Sequence, residues 1–263
     1  MPFAVPPASV PGAAPLGVGR AAAPRLGARA EFADWRFAPN IGGHPDSYEL
    51  ENQAMDRAGH LLAAMRAAAP WAGRVLVDLG CGTGYWLRRY AGEAARVIGV
   101  EPDPALRAAA MRAAGALPAT DVLAGSAERL PLPDDSVDVV HARFAYFFPP
   151  GIEAGLAEVL RVLRPGGRLA VVDNDYRSGE WAGLLAATAV RSPLRTADEV
   201  DAWWRERGAA RLEVRSELRF ERRSELAAVL SIEFPAAVAS RWLRGNPKAT
   251  SLSYGYIVFT LVA

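Results

Sequence analysis

The sequence predicts an α/β fold, with a mostly parallel β-sheet covered by helices on both faces. Helix-like and strand-like segments alternate from about residue 46 onward. The strand-like segments "VLVDL" (75–79) and "SVDVVHARF" (136–144) carry apolar residues at consecutive positions, as strands do when both of their faces are buried. Strands separated by helices form parallel sheets, because each helix carries the chain back across the sheet. In such a sheet, ligands bind beyond the carboxyl ends of the strands.

The composition narrows the classes of protein to consider. The 263 residues carry 30 basic and 29 acidic side chains, so a polyanion is not expected as the main partner. No apolar run reaches the roughly 18 residues that a membrane span requires. Cys81 is the single cysteine, which excludes an internal disulfide and favours a reducing, cytoplasmic location.

The first 30 residues differ in kind from the rest of the chain. They are rich in Ala, Pro and Gly, and arginines are their only charged residues. The many prolines and the lone serine argue against an amphipathic transit peptide. We therefore predict a disordered leader over residues 1–30 and a single domain over residues 31–263.

The segment from residue 46 to residue 66 is predicted to form one helix. Its apolar residues recur at helical spacing, and Asp46 and Glu49 have the spacing of a capping box. The predicted strand at 75–79 follows this helix.

The next helix has clear end signals. A strand at 96–101 precedes Asp103 and Pro104, which suit the N-cap and the first helical position, and Gly115 suits the end of the helix. A short strand is expected at 121–123.

Helices and strands continue to alternate in the second half. The segment 151–167 is predicted to be a helix that Pro165, Gly166 and Gly167 close, and another helix opens at Thr196, with Glu199 three residues on. Strands are expected at 168–175, 211–220 and 252–263.

Three glycines at alternate positions follow the strand at 75–79. Gly80, Gly82 and Gly84 allow the backbone to approach a ligand closely, and the helix that follows offers unpaired N–H groups. The dinucleotide fingerprint G-x-G-x-x-G requires glycine where Tyr85 stands. The spacing therefore counts against NAD or FAD.

"VDLGCGTG" (77–84) resembles the first motif of class I S-adenosylmethionine (SAM) dependent methyltransferases. Three more blocks resemble the family in the same order: Glu101 at a strand end, "GSAERLPLPDDSVDVV" (125–140) and "RVLRPGGRLAVVD" (161–173). Within this family, the motifs most resemble those of the small-molecule enzymes of ubiquinone and menaquinone biosynthesis. The resemblance implies a Rossmann-like, doubly wound sheet of seven mostly parallel strands, with an antiparallel terminal strand.

The resemblance also implies a set of SAM-binding residues. Asp78 would orient the glycine turn or the amino group of the ligand, and Glu101 would hold the ribose hydroxyls. Ser126 stands where many relatives carry Asp, and it would meet the adenine together with Ala127. The residues implied at the methionine end are Tyr48, Gly80, Cys81, Gly82 and Thr83, and Arg143 would contact the ligand from beneath. The resemblance explains Cys81 as a small filler rather than a nucleophile.

Methyl transfer from a sulfonium is an in-line displacement, so alignment and exclusion of water do most of the work. A general base would help with a hydroxyl or an acidic carbon, and the candidates are His141 and Asp173, with Tyr176 as a third. Asp173 and Asn174 also match the strand end of metal-dependent catechol-type methyltransferases. Arg143 stands where those enzymes need another carboxylate, so no metal is expected.

The acceptor is expected to lie over the carboxyl edge of the sheet, between cap elements at about 31–68 and 177–210. The loop "FAYFFPPG" (144–151) and Trp181, with Trp203 and Trp204, would supply aromatic walls for an apolar or planar small molecule. "HARF" (141–144) replaces the Asp/Asn-Pro-Pro-Tyr/Phe motif of nucleic-acid amino-methyltransferases, so a nucleic acid is not expected.

Two other classes remain open at this point. The chain could bind SAM as a partner or regulatory subunit without transferring a methyl group, because a glycine turn and an acid predict binding and not turnover. A nucleotide-dependent oxidoreductase is the other class, and Tyr85 counts against it. The fold alone does not decide among these classes.

Overall fold

The computed structural model describes residues 35–188 and 196–263, so the predicted leader at 1–30 lies outside the described residues. Its strands form one seven-stranded sheet in the order β3-β2-β1-β4-β5-β7-β6. The strands are β1 (Val75–Leu79), β2 (Arg96–Val100), β3 (Thr120–Leu123), β4 (Val137–Arg143), β5 (Leu163–Asn174), β6 (Ala210–Arg219) and β7 (Ser251–Val262). The first five strands are mutually parallel, and β7 runs antiparallel to both β5 and β6. This arrangement confirms the predicted fold class.

Helices cover both faces of the sheet. They are α1 (Pro39–Gly43), α2 (Pro45–Ala54), α3 (His60–Ala68), α4 (Leu87–Tyr90), α5 (Pro104–Ala114), α6 (Glu153–Val162), α7 (Gly179–Ala187), α8 (Ala197–Glu206), α9 (Arg223–Glu233) and α10 (Ala236–Gly245). None of the helices in the described ranges is both long and apolar enough to span a bilayer.

The predicted end signals hold for two helices. The Asp103 side chain accepts hydrogen bonds from the N–H groups of Ala105 and Leu106 at the start of α5. Thr196 and Glu199 form a reciprocal capping box at the start of α8. In both helices the capping residue satisfies backbone donors that the first turn leaves without a helical partner.

The prediction of one helix from 46 to 66 is wrong. The chain forms α2 and α3 instead, separated by a turn in which Asp56 has a φ of 51° and Gly59 a φ of 77°. The turn contacts β6 at two points. Met55 forms an antiparallel β-bridge with Leu218, and the Asp56 carboxylate accepts a hydrogen bond from the Ser216 hydroxyl. The capping box is also absent: α2 begins at Pro45 with no side-chain cap.

The helix predicted over 151–167 ends earlier than expected. It stops at Val162, and Leu163 already pairs with Val137 of β4. The residue before a proline favours extended backbone, so Arg164 and Pro165 continue as strand rather than helix. Leu163 is still buried, as its spacing predicted, but it is buried as part of β5.

The two neighbouring tryptophans of α8 take different environments. Trp204 is 1% exposed and stacks on Phe259 of β7, with ring centroids 5.4 Å apart. Trp203 is half-buried, and its indole N–H donates to the Glu153 carboxylate at 3.3 Å. Trp204 therefore belongs to the core between α8 and the sheet.

Candidate cofactor and acceptor site

The turn after β1 has the backbone conformation that its glycines predict. Gly80, Gly82 and Gly84 have φ angles of 70°, 58° and 81°, in the left-handed region that other residues rarely adopt. A Cβ at Gly80 would lie 2.5 Å from the Ala145 side chain, and one at Gly82 would lie 2.8 Å from Ile41 Cδ1. The conformation therefore disfavours side chains at all three positions, and at Gly80 the Ala145 side chain also leaves no space for a Cβ.

Glu101 ties the glycine turn to the end of β2. Its Oε2 accepts from the Gly82 N–H at 2.8 Å, and its Oε1 accepts from the Asp103 N–H at 2.9 Å. The carboxyl is 6% exposed, and burial raises its pKa to about 7 against the opposing effect of these two hydrogen bonds. Each carboxylate oxygen can accept a second hydrogen bond, so the group keeps capacity for a ligand hydroxyl.

A buried ion pair forms the floor of the site. The Arg143 guanidinium donates to both carboxylate oxygens of Asp78, at 3.1 and 3.0 Å, and to the Tyr90 hydroxyl at 3.2 Å. Its carbon Cζ lies 4.3 Å from the centre of the Trp86 ring, within the range of a cation–π contact. Burial raises the pKa of Asp78, and the charge of Arg143 opposes this shift.

These elements enclose a cleft above the glycine turn. Its lining consists of Ile41, Tyr48, Asn52, Met55, Gly80, Cys81, Gly82, Thr83, Tyr85, Trp86, Arg143 and Phe144. Tyr48, Arg143 and the four turn residues 80–83 were predicted for the cofactor, and Asp78 and Glu101 bond directly to members of this set. Phe144 belongs to the loop that was predicted as an aromatic wall, and Ile41, Asn52 and Met55 belong to the predicted cap segment at about 31–68. The sequence analysis did not place Tyr85 or Trp86 in the site. Tyr85 and Trp86 directly follow the last glycine of the turn, and this position in the sequence could have indicated that they line the site.

Ser126 and Ala127 lie elsewhere. Both are buried in the turn after β3, where Ser126 forms an antiparallel bridge with Arg129. Neither residue lines the cleft above the glycine turn. Ser126 and Ala127 lie at a neighbouring part of the same edge of the sheet. Their contact with the adenine of SAM stays a prediction.

Cys81 has the environment of a packing residue. Its side chain is buried, and a Cβ at Gly99 of β2 would come within 2.8 Å of its sulfur. Burial raises the pKa of the thiol well above its ordinary value, and the carboxylates of Asp78 and Glu101 raise it further. A thiol held in its protonated form is a poor nucleophile.

The structure counts against His141 as a general base. The imidazole is fully buried on the face of the sheet that packs against Trp71 and Tyr90, whose ring centroids each lie 5.4 Å from it. Burial and the Arg143 charge lower its pKa to about 3. His141 lies inside β4, where a side chain points into a helix-covered layer rather than toward the strand end.

Asp173 lies at the carboxyl end of β5, next to Tyr176, the third predicted candidate base. Its Oδ1 accepts from the Asn174 N–H at 2.7 Å and from the Tyr176 hydroxyl at 3.4 Å. The Asn174 side-chain oxygen accepts from the Tyr254 hydroxyl at 2.5 Å. Within the part of the chain that the structure describes, no three His, Cys, Asp or Glu residues are arranged to hold a metal ion.

The aromatic residues of the loop 144–151, which were predicted to line the acceptor site, do not all lie there. Phe147 is buried against Trp204, and the Tyr146 hydroxyl bonds to Glu128, so both belong to the layer under α6 and α8. Phe144, with a strained φ of 50°, borders the cleft.

Trp181 instead joins a stack that the sequence analysis missed. Its ring lies 4.6 Å from that of Tyr254, which lies 4.3 Å from that of Tyr256. Alternation along β7 was the signal for this pair, because residues two apart share a face.

Comparison with known proteins agrees with this geometry. Residues 77–171 match the family model of the methyltransferase domain. This segment is a class I methyltransferase domain. The methyltransferase domain contains the glycine turn, Glu101, Arg143 and most of β5, and SAM is the cofactor that the family implies.

Curated relatives match over the same region. The chain is 40% identical over 131 residues to an uncharacterized methyltransferase of Mycobacterium avium, covering 48% of this chain and 47% of the relative. It is 37% identical over 129 residues to the ubiquinone/menaquinone biosynthesis C-methyltransferase UbiE of Rubrivivax gelatinosus, covering 48% of this chain and 51% of that protein. The chain thus spans about half the length of the curated relatives it matches.

Solved structures share the fold at low sequence identity. The YcgJ protein of Bacillus subtilis has a TM-score of 0.56 at 20% identity, over 78% of this chain and 98% of that chain. A SAM-dependent methyltransferase from Aquifex aeolicus has a TM-score of 0.52 at 15% identity, over 83% of this chain and 99% of that chain. These likenesses establish the α/β architecture.

The residues of the cleft fit SAM. The glycine turn lines the cleft with backbone rather than with long side chains, and the Glu101 carboxylate at the adjacent strand end can accept from ribose hydroxyls. The helices α1 and α2 cover this cradle, since Ile41 faces Gly82, and the Glu49 carboxylate accepts from the Thr83 hydroxyl at 3.4 Å. A bound methionine end would thus be enclosed between the turn and these two helices.

Proposed function

We propose that the chain transfers a methyl group from SAM to a small-molecule acceptor by in-line displacement. The observation that carries the proposal is the left-handed glycine turn joined to Glu101 through the Gly82 N–H. SAM, when bound, supplies a methyl group that its sulfonium makes electrophilic. The methyltransferase domain supports the general reaction, and the acceptor class is our inference from the cleft.

Each side chain of the cleft has a task in this proposal. Glu101 accepts from the ribose hydroxyls, and the Asp78–Arg143 pair fixes the floor under the methionine end. Tyr48 and Phe144 close the methyl-transfer region to water, which strengthens electrostatic interactions inside it. Asp173 is the remaining candidate base, and the Tyr176 hydroxyl, just beyond the end of β5, donates a hydrogen bond to it.

The acceptor is proposed to be a small molecule with an apolar or planar part. It lies beyond the carboxyl ends of β4 and β5, where Phe144 and the rings of Tyr254 and Tyr256 supply apolar surface. The proposed unit is the domain over 31–263, with cap elements at about 31–68 and 177–210. A reducing, cytoplasmic setting suits its single cysteine.

Calorimetric titration of SAM and S-adenosylhomocysteine tests the cofactor. Wild type is expected to bind both ligands, and Glu101→Ala is expected to weaken binding by at least about tenfold, equivalent to about 1.4 kcal/mol. Glu206→Ala, an exposed change on α8, is the matched control and should bind as wild type does. Absence of binding to wild type would overturn the proposal.

Turnover is tested separately with a panel of amines, phenols and carboxylic acids. Release of S-adenosylhomocysteine with any of them supports methyl transfer to a small molecule. SAM binding without release across the panel would favour the non-catalytic partner protein instead.

A further inference from the structure

The guanidinium of Arg143 is attached to its ion-pair partner through a single nitrogen. Its Nη2 donates to both carboxylate oxygens of Asp78, at 3.1 and 3.0 Å. The strongest arginine–carboxylate pairs use two nitrogens in parallel, and this fixes the plane of the guanidinium as well as its position. A guanidinium held at one nitrogen can pivot about that point. The ion pair alone therefore leaves the orientation of the Arg143 head group open.

Tyr90 supplies a second point of attachment. Its hydroxyl accepts a hydrogen bond from Arg143 Nε at 3.2 Å. Since Nε and Nη2 belong to one rigid plane, bonds to both nitrogens set the direction of the whole head group. The Trp86 ring adds a cation–π contact, with its centre 4.3 Å from Arg143 Cζ.

The Tyr90 ring is itself held firmly by its surroundings. It is fully buried at the end of α4, and the centres of the Trp71 and His141 rings each lie 5.4 Å from its own in edge-to-face arrangements. Burial raises the pKa of the Tyr90 hydroxyl, so the group stays neutral at physiological pH. A neutral hydroxyl on a fixed ring can orient the neighbouring cation without neutralising its charge.

One nitrogen of the guanidinium is left for a ligand. Among the hydrogen bonds of residues 35–188 and 196–263, those of Arg143 use Nε and Nη2, and Nη1 has no partner. Nη1 carries two N–H donors, and charge-assisted bonds from a guanidinium to a carboxylate are among the strongest in proteins. The free nitrogen therefore favours a ligand with a carboxylate.

Arg143 is the member of the ion pair that a ligand can reach. It lines the cleft above the glycine turn, whereas Asp78 is 0% exposed and does not line that cleft. The carboxylate of the methionine moiety is the anionic group of SAM, and this moiety is proposed to lie over the same turn. The free donors of Arg143 and the anionic end of the cofactor thus belong to one region of the site.

We propose that Tyr90 is a positioning residue for cofactor recognition: its hydroxyl orients Arg143 so that Nη1 donates to the carboxylate of the methionine end of SAM. This inference rests on the proposed function and adds to it a residue that lies outside the cleft. Tyr90 acts only through Arg143. Removing its hydroxyl should therefore weaken recognition of one ligand group and leave the rest of the ligand bound as before.

The test compares two ligands that differ only in this carboxylate. S-adenosylhomocysteine carries it, and S-adenosyl-3-thiopropylamine has a hydrogen atom in its place. Calorimetry on the full chain is expected to give wild type a preference of at least about tenfold for S-adenosylhomocysteine. Tyr90→Phe should reduce that preference at least about threefold, the size of one hydrogen bond, with its affinity for the thiopropylamine within about twofold of wild type.

Further variants show whether Tyr90 acts through Arg143. Tyr146→Phe is the matched control: it removes a hydroxyl that bonds to Glu128, in the layer under α6 and α8, and should keep the full preference. Arg143→Lys retains the charge beside Asp78 but has one nitrogen only, so it should lose most of the preference. Adding Tyr90→Phe to Arg143→Lys should then cause no further loss.

The outcomes separate this inference from the proposed function. Failure of wild type to bind S-adenosylhomocysteine removes the proposed function itself. Normal cofactor binding with equal affinity for the thiopropylamine overturns this inference alone. A full preference in Tyr90→Phe, or equal weakening of both ligands, also overturns it, because the hydroxyl would then be unimportant or only structural. If Tyr90→Phe does not fold, Arg143→Lys decides, and an undiminished preference in that variant overturns the inference.

Discussion

Arg143 and Asp78 form a two-pronged ion pair whose N–O distances are 3.1 and 3.0 Å, with the side chains 8% and 0% exposed. The strands β4 and β1 that carry them are direct neighbours, so the pair bridges the two central strands at their carboxyl ends. Such a pair is costly to break from one side, because the remaining charge stays buried without compensation.

Asp78→Asn is therefore expected to lower the free energy of unfolding by about 3–5 kcal/mol. The Arg143 guanidinium would keep its place beside Trp86 but lose the charge that balances it. Urea denaturation measures the loss. The double variant Asp78→Asn, Arg143→Met should recover part of it, and equal instability of the single and double variants would contradict this account.

Glu101→Gln is expected to change how stability depends on pH. The folded pKa of about 7 exceeds the ordinary value of 4.5, so the protonated carboxyl favours folding. This contribution is complete below about pH 4.5 and is lost as the pH rises through about 7, with an upper limit of about 3 kcal/mol.

Denaturation of wild type and Glu101→Gln at about pH 5 and about pH 8 measures this contribution. Wild type should lose more stability than the variant over that interval. Parallel losses in the two proteins would show that Glu101 does not titrate there.

Gly82→Ala is expected to damage the turn itself. The φ of 58° is unfavourable for alanine, and the new Cβ would lie 2.8 Å from Ile41 Cδ1. We expect a loss of about 1–3 kcal/mol in stability and weaker SAM binding.

Gly92→Ala is the matched control for Gly82→Ala. It lies in the loop before β2, where an added Cβ meets nothing within 4 Å. Thermal melting and calorimetry should find the control close to wild type. If both variants bound SAM equally well, the close approach at Gly82 would not matter.

The adjacent tryptophans of α8 give a prediction with an internal control. Trp204→Ala removes a 1% exposed ring stacked on Phe259 and should cost about 3–5 kcal/mol. Trp203→Ala removes a half-buried ring with contacts to Arg207 and Glu153, and should cost less than about 1.5 kcal/mol. Chemical denaturation of the two variants distinguishes them, and similar losses would mean that both rings support the core.

The features that the sequence predicted correctly are those that depend on residues close together in the chain. The strands at 75–79 and 96–101 contain short runs of consecutive apolar residues, and Asp103 and Thr196 cap their helices through backbone groups two or three residues away. Such signals lie within a few residues of the feature they predict. For the same reason the glycines after β1 predicted a tight turn, which the positive φ angles of Gly80, Gly82 and Gly84 confirm.

What the sequence could not predict depends on contacts between distant segments. The break between α2 and α3 exists because Asp56 bonds to Ser216, 160 residues away. The helices α2 and α9 lie far apart in the chain, and they pack against each other only in the folded protein. Phe147 resembled a wall of the acceptor site, but the turn after β4 directs it into the core against Trp204. Contacts between distant segments, and the direction in which a loop side chain points, are decided by tertiary packing.

The position of β7 has a consequence for folding during synthesis. This strand follows β6 in the chain but lies between β5 and β6 in the sheet. Apart from the single bridge to Met55, β6 takes its sheet partners from β7. As the ribosome extends the chain, β1 to β5 can assemble first with β5 as an open edge. The amphipathic β6 must then wait, unpaired, until residues 251–262 emerge, so the final insertion of β7 both covers the β5 edge and captures β6.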